Sequence, residues 1–91
     1  SMSPVELSRL ITLDETKNER LLQGLADEDK TYVYFLYHVQ RAHVLAYGPK
    51  ANEDERMVVQ EQIQEIASYV GLSILDALEV LNLRDPHGYF F

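Results

Sequence analysis

The sequence predicts an all-α domain, a compact bundle of four to five short helices around a central antiparallel pair at residues 28–47 and 53–70. Three observations lead to this prediction. Apolar residues recur at helical spacing in both long segments. Polar capping residues or acidic runs precede the segments, and glycine or proline follows most of them. A chain of 91 residues leaves room for a single core.

The domain organisation is expected to be simple. Residues 3–86 are predicted to form one helical domain, preceded by a start at residues 1–2 and followed by an aromatic tail at residues 87–91. Ser1 ahead of Met2 is interpreted as a remnant of tag removal, with the natural start at Met2. Two alternatives stay open for the tail: it folds back on the core, or it docks elsewhere.

The first helix is predicted over residues 4–11. Ser3 and Glu6 have the spacing of a capping box, in which the hydroxyl and the carboxylate each bond a free amide of the helix start. Pro4 stands at the first helical position, where its missing N–H costs nothing.

A second capping box at residues 12–15 predicts that the helix restarts at a new angle. Leu13, Leu21 and Leu25 are expected to share one apolar stripe, with Asn18 among the residues that face water.

The third helix, at residues 28–47, is rich in aromatic residues. Val33, Leu36 and Val44 belong to one apolar face, and Phe35 and Val39 belong to its neighbour. A helix that is apolar over so much of its circumference is usually central to a fold. Residues 31–37 are all β-branched, aromatic or leucine, so a strand there is an alternative, although length and the end signals favour a helix.

The fourth and fifth helices are predicted from their caps and stripes. Asn52 opens the fourth helix, whose apolar residues lie at i, i+4, i+7 and i+11: Val59, Ile63, Ile66 and Val70. Ser73 caps the fifth helix after the break at Gly71. Three leucines of the fifth helix are expected to face the core: Leu75, Leu78 and Leu81.

The sequence contains few candidates for catalytic or metal-binding residues. The chain has no cysteine, which excludes disulfides, thiolate nucleophiles and cysteine-based metal sites. His38 and His43 are five residues apart and lie on different helical faces, unlike an i, i+4 ligand pair. The protein is therefore predicted to be non-enzymatic, with no metal and no cofactor. A small helical enzyme or ligand carrier with a pocket of tyrosines and one histidine is kept as an alternative.

A bihelical turn is the nearest approach to a known motif. Ala67, Gly71 and Ser73 have the local spacing of a helix–turn–helix corner. The second helix of that corner contains no basic residue, whereas a DNA reader needs arginine, lysine, asparagine or glutamine there. Direct binding of nucleic acid is not expected, and a degenerate helix–turn–helix domain associated with transcription is the second alternative.

The charge distribution bears on the kind of partner. Fifteen acids against eight bases give a net charge of −7, and residues 46–91 hold eight of the acids but three of the bases. This half would repel nucleic acid and anionic membrane surfaces. No apolar run is long enough to span a bilayer and no signal-peptide pattern opens the chain, so the cytoplasm is the expected location.

These observations together favour a protein-binding function, that of an adaptor, regulator or inhibitor. The partner is expected to be another protein with a basic face, and the domain to form a homodimer through surplus apolar surface on the third helix. Small antagonists encoded by phages or acting as toxin antidotes fit this description, although composition does not select them. The predicted partner-binding residues are two tyrosines, an acidic i, i+4 pair and the aromatic tail: Tyr34, Tyr37, Glu61, Glu65, Tyr89, Phe90 and Phe91.

Overall fold

A computed structural model describes residues 2–90 and contains five helices in this range. They are α1 (Pro4–Ser8), α2 (Glu15–Leu21), α3 (Asp27–Tyr47), α4 (Glu53–Val70) and α5 (Ile74–Val80). The described residues include no strand, so the all-α prediction is confirmed, and residues 31–37 are helical. None of the helices within residues 2–90 combines the length and the apolar character needed to cross a membrane.

Local capping chemistry sets most of the helix ends. The Glu6 amide donates to Ser3 Oγ at 3.2 Å and the Ser3 amide donates to Glu6 Oε1 at 3.1 Å, which is the predicted capping box. Asn52 and Ser73 cap α4 and α5 by accepting from the amides of Glu55 and Asp76. At the other end of α4, Gly71 adopts φ +71°, a left-handed conformation that glycine tolerates best.

The central helix α3 packs against α4 on one side and against α1 on another, with α5 closing the end of the bundle. The main core lies between α3, α4, α5 and the C-terminal segment, and its large buried residues include Phe35, Leu36, Val39 and Ile63. A smaller core joins α1 and α2 to the first half of α3 through Leu7, Ile11, Leu22 and Val33. The predicted central pair of helices is therefore confirmed.

The start of α2 differs from the prediction. Asp14 is the N-cap and accepts from the amides of Thr16 and Lys17. Thr12 lies three residues before the helix begins, and its Oγ1 accepts from the Asp14 amide. Leu13 therefore precedes the helix, the helical spacing to Leu21 and Leu25 does not apply to it, and it is 88% exposed. Its predicted place on the apolar stripe is wrong.

Asn18 was expected to face water and is instead buried. Its Oδ1 accepts from the Thr12 amide at 2.9 Å, and its Nδ2 donates to the Thr12 carbonyl at 2.8 Å. The side chain thus completes the backbone hydrogen bonding of the turn between α1 and α2, which explains how a polar group is buried there. The same turn ends α1 at Ser8, three residues before the predicted end.

Two further core assignments are wrong because no element covers the residue. Val44 is exposed, since it lies in the lining of the open groove between α1 and α3. Leu75 is half exposed, because the buried face of α5 is centred on Ala77, Leu78 and the following Leu81.

The C-terminal segment folds back on the bundle, which decides between the two alternatives for residues 87–90. Phe90 is 2% exposed and belongs to the main core. One carboxylate holds the turn that precedes it: Asp85 accepts from the amides of Tyr89 and Phe90, each at 2.9 Å, and from the hydroxyl of Tyr47. Phe91 lies outside the described residues.

Candidate partner-binding surface

The outward face of α4 carries the predicted acidic pair. Glu61 and Glu65 are both exposed, and neither forms an ion pair within residues 2–90. The one basic residue of α4, Arg56, is buried and is bound instead to Glu53 at 3.6 Å and to Gln60 at 2.6 Å. The two glutamates therefore present their negative charge to solvent, with no cation from their own helix to neutralise it.

Tyr69 extends this face and was missed in the sequence analysis. It is 91% exposed, and it follows Glu65 by one helical turn. Val58, seven residues before Glu65, lies on the same stripe and is 55% exposed. The spacing of 58, 65 and 69 as i, i+7 and i+11 was the signal that could have identified this stripe. We call the surface formed by Val58, Glu61, Glu65 and Tyr69 the α4 face.

The predicted tyrosines of α3 do not belong to the α4 face. Tyr34 and Tyr37 are half-buried and pack against the smaller core, toward α1 and α2. The Tyr37 hydroxyl accepts from Arg41 Nη1 at 3.3 Å, which orients the arginine along α3. The predicted binding residues thus fall on different parts of the surface.

The aromatic residues of the C-terminal segment have a packing function in this structure. Phe90 is buried, so it has no surface with which to contact a partner in this conformation. Tyr89 is half-buried beneath the guanidinium of Arg56, whose Cζ lies 3.9 Å from the ring centre. The tail was predicted to expose aromatic residues, but Phe90 is buried, whereas Tyr69 on α4 is exposed.

Two of the open grooves beside α3 have a mainly apolar lining. A groove of about 310 Å³ lies between α1 and α3 and is lined by Tyr37, Gln40 and Val44 among others. The second, of about 320 Å³, lies between α3 and α4, where Leu45 and Val58 contribute to its lining. Both grooves have mainly apolar walls, as expected of surfaces that bind apolar side chains.

The two histidines of α3, His38 and His43, lie in different surroundings. His43 Nε2 lies 2.7 Å from the Arg84 carbonyl oxygen, and its ring stacks on Phe90. Burial lowers the pKa of His38, and the positive charge of Arg41 lowers it further, so the neutral ring is favoured. Neither histidine is hydrogen-bonded to a carboxylate in residues 2–90, and no group of three or more potential metal ligands occurs there.

The second helix of the bihelical corner, α5, has seven residues and exposes two acids, Asp76 and Glu79. The exposed charge of this helix is therefore negative and would repel the phosphates of DNA. This geometry does not favour the helix–turn–helix alternative.

Comparison of the chain with models of known protein families found no match, and neither did comparisons with curated proteins and with solved structures.

Proposed function

We propose that this domain is a non-enzymatic protein-binding module that engages a basic partner through the α4 face. The observation that carries the proposal is the pair of unneutralised glutamates, Glu61 and Glu65, next to the exposed ring of Tyr69. Lysine or arginine side chains of a partner would pair with the carboxylates, and the aromatic ring would provide apolar contact area. Tyrosines of this kind are enriched at the centres of protein interfaces.

Charge decides which class of partner fits. Helix α4 carries five acids, Glu53, Asp54, Glu55, Glu61 and Glu65, against the single Arg56, a net charge of −4. An anionic partner such as nucleic acid would be repelled by this helix. A protein with a basic patch would be attracted to it, with a rate of association that falls as salt is added. Action in the cytoplasm remains part of the proposal and would be tested by cell fractionation.

The experiment compares two charge-reversal variants on a pull-down from lysate of the source cell. The test variant is Glu61→Lys with Glu65→Lys, and the matched control is Glu15→Lys with Glu19→Lys, an exposed i, i+4 pair on α2. Both variants replace two acids by two lysines, so both change the net charge from −7 to −3. Any difference between them therefore reports on position and not on total charge.

We expect one protein to be retained by the wild type and by the α2 control and to be released by salt. The α4 variant should not retain this protein. Tyr69→Ser should weaken retention of the same protein without changing its dependence on salt. Equal retention by the wild type and both double variants would show that the α4 face is not the binding site.

A further inference from the structure

The groove between α3 and α4 differs from the α4 face in its charge pattern. Its apolar floor is formed by Leu45, Val58 and Val59. Arg41 of α3 stands on one wall, while Asp54 and Glu55 of the first turn of α4 stand on the other. The α3 wall therefore contributes one positive side chain and the α4 wall two negative ones, beside a lining that is mainly apolar.

These opposite charges do not neutralise each other within the chain. Arg41, Asp54 and Glu55 are all exposed, and none of them forms an ion pair in the part of the chain that the structure describes. The Arg41 side chain donates to the hydroxyl of Tyr37 on its own helix, and its guanidinium Cζ lies 6.0 Å from the centre of that ring. Both walls are thus available to charges from outside the chain.

A surface of this kind is complementary to itself. In a two-fold symmetric dimer the same patch meets its own copy, so residue i of one chain contacts residue j of the other and the reverse. When the two-fold axis runs parallel to the groove, Arg41 of each chain faces Asp54 and Glu55 of its partner, with Leu45 and Val58 enclosed between them. A partner of a single charge sign would be repelled by one of the two walls.

We propose that the chain forms a two-fold homodimer through the α3–α4 groove, held by two symmetric clusters of Arg41 with Asp54 and Glu55 around an apolar centre. The occupant of the groove is a second copy of this chain. The groove shares Val58 with the α4 face but uses a different set of charges, and the proposed dimer does not require Glu61, Glu65 or Tyr69.

The test measures self-association of the purified chain by sedimentation equilibrium over a range of concentrations. The wild type is expected to be in monomer–dimer equilibrium. Arg41→Glu places acids on both walls, and Asp54→Arg with Glu55→Arg places bases on both walls. Each variant alone should therefore dimerise at least about tenfold more weakly than the wild type, because like charges then oppose each other.

Mixing the two variants distinguishes this arrangement from a general effect of charge or stability. In the mixed dimer, Glu at position 41 of one chain meets the two arginines of the other. The native Asp54 and Glu55 of the first chain meet the native Arg41 of the second. Both clusters are then attractive, and an equimolar mixture should dimerise within about threefold of the wild type.

The control is Arg9→Glu, which reverses an exposed arginine of the neighbouring α1–α3 groove and should leave the dimer unchanged. Circular dichroism of each variant checks that it is folded. A wild type that stays monomeric up to about 1 mM, where only very weak association would be missed, overturns the proposal. So does a mixture that associates no better than its components, or assembly into open chains larger than a dimer.

Discussion

The guanidinium Cζ of Arg56 lies 3.9 Å from the centre of the Tyr89 ring, so a buried arginine of α4 packs on the C-terminal segment. Arg56 also donates to Gln60 and pairs with Glu53, which fixes the plane of the guanidinium. A planar cation over an aromatic face is attracted by the ring quadrupole. This contact and the burial of Phe90 join the end of the described chain to the bundle, together with the hydrogen bond between Tyr47 and Asp85.

The contact predicts an energetic coupling between the two residues. In a double-mutant cycle with Arg56→Met and Tyr89→Leu, we expect a coupling of about 0.5–2 kcal/mol in the free energy of unfolding. Urea denaturation of the four proteins measures it. Arg56→Met with Tyr69→Leu serves as the control cycle, because Tyr69 is exposed and is expected to be additive with Arg56. Additive effects in the Arg56 and Tyr89 cycle would contradict the prediction.

Asp85 predicts a dependence of stability on pH. Burial by itself would raise the pKa of Asp85, but hydrogen bonds from the Tyr47 hydroxyl and from the amides of Phe90 and Tyr89 outweigh it and lower the pKa. A carboxyl with a lowered pKa in the folded state stabilises the fold above its unfolded pKa. That stabilisation is lost as the pH falls through the folded pKa.

Asp85→Asn should therefore lower the free energy of unfolding by about 1–3 kcal/mol at pH 7, since an amide cannot accept all of these bonds. The difference from the wild type should shrink as the pH is lowered to about 3, below the usual pKa of aspartate. Denaturation by urea at both pH values measures this, with Glu79→Gln as an exposed control. A difference that is constant with pH would exclude this role of the carboxylate.

The hydrogen bonds of Asn18 require an amide, so we expect that a carboxylate at this position lowers the stability. Asn18→Asp removes the donor to the Thr12 carbonyl and sets a negative charge against that oxygen, so we expect a loss of about 1–3 kcal/mol in stability. Thermal unfolding measures it. The matched control is Asn52→Asp, because Asn52 only accepts a hydrogen bond there and aspartate is an equally good N-cap. Equal losses in the two variants would refute the interpretation of Asn18.

The left-handed conformation of Gly71 at the end of α4 leads us to expect that any side chain there lowers the free energy of unfolding. An added Cβ would meet no atom within 4 Å, so the cost of Gly71→Ala comes from the backbone conformation at φ +71° and not from a clash. We expect a loss of about 1–2 kcal/mol. Gly71→Asn should lose less, because asparagine tolerates this conformation better. Unfolding in urea measures both variants, and a harmless alanine would contradict the assignment.

Much of the helix pattern could be predicted from the sequence because helix ends depend on near neighbours. Ser3, Asn52 and Ser73 cap their helices through amides three residues further along, and Gly71 ends α4 within one turn. Such signals are complete within a few residues, so no knowledge of the packing is needed to recognise them. The predicted bounds of α4 at residues 53–70 match the observed helix for this reason.

The candidate surfaces could be predicted only in part. The exposure of Glu61 and Glu65 followed from their helical spacing, and that of Tyr69 could have been found in the same way. The groove lined by Arg41, Asp54 and Glu55 could not be predicted from the sequence. Its walls come from two helices, and the relative placement of those helices depends on the packing of the whole bundle.

By itself, the sequence determined the all-α class, the caps, the central pair of helices and the acidic character of α4. Only the tertiary structure decided which apolar residues are buried, since burial depends on the element that covers a face and that element can be distant in the chain. Val44 is exposed because it lies in the open groove between α1 and α3, whereas Phe90 is buried because Asp85 turns the chain back onto α3 and α4. A residue's own neighbours fix its conformation, but the whole fold fixes its surroundings.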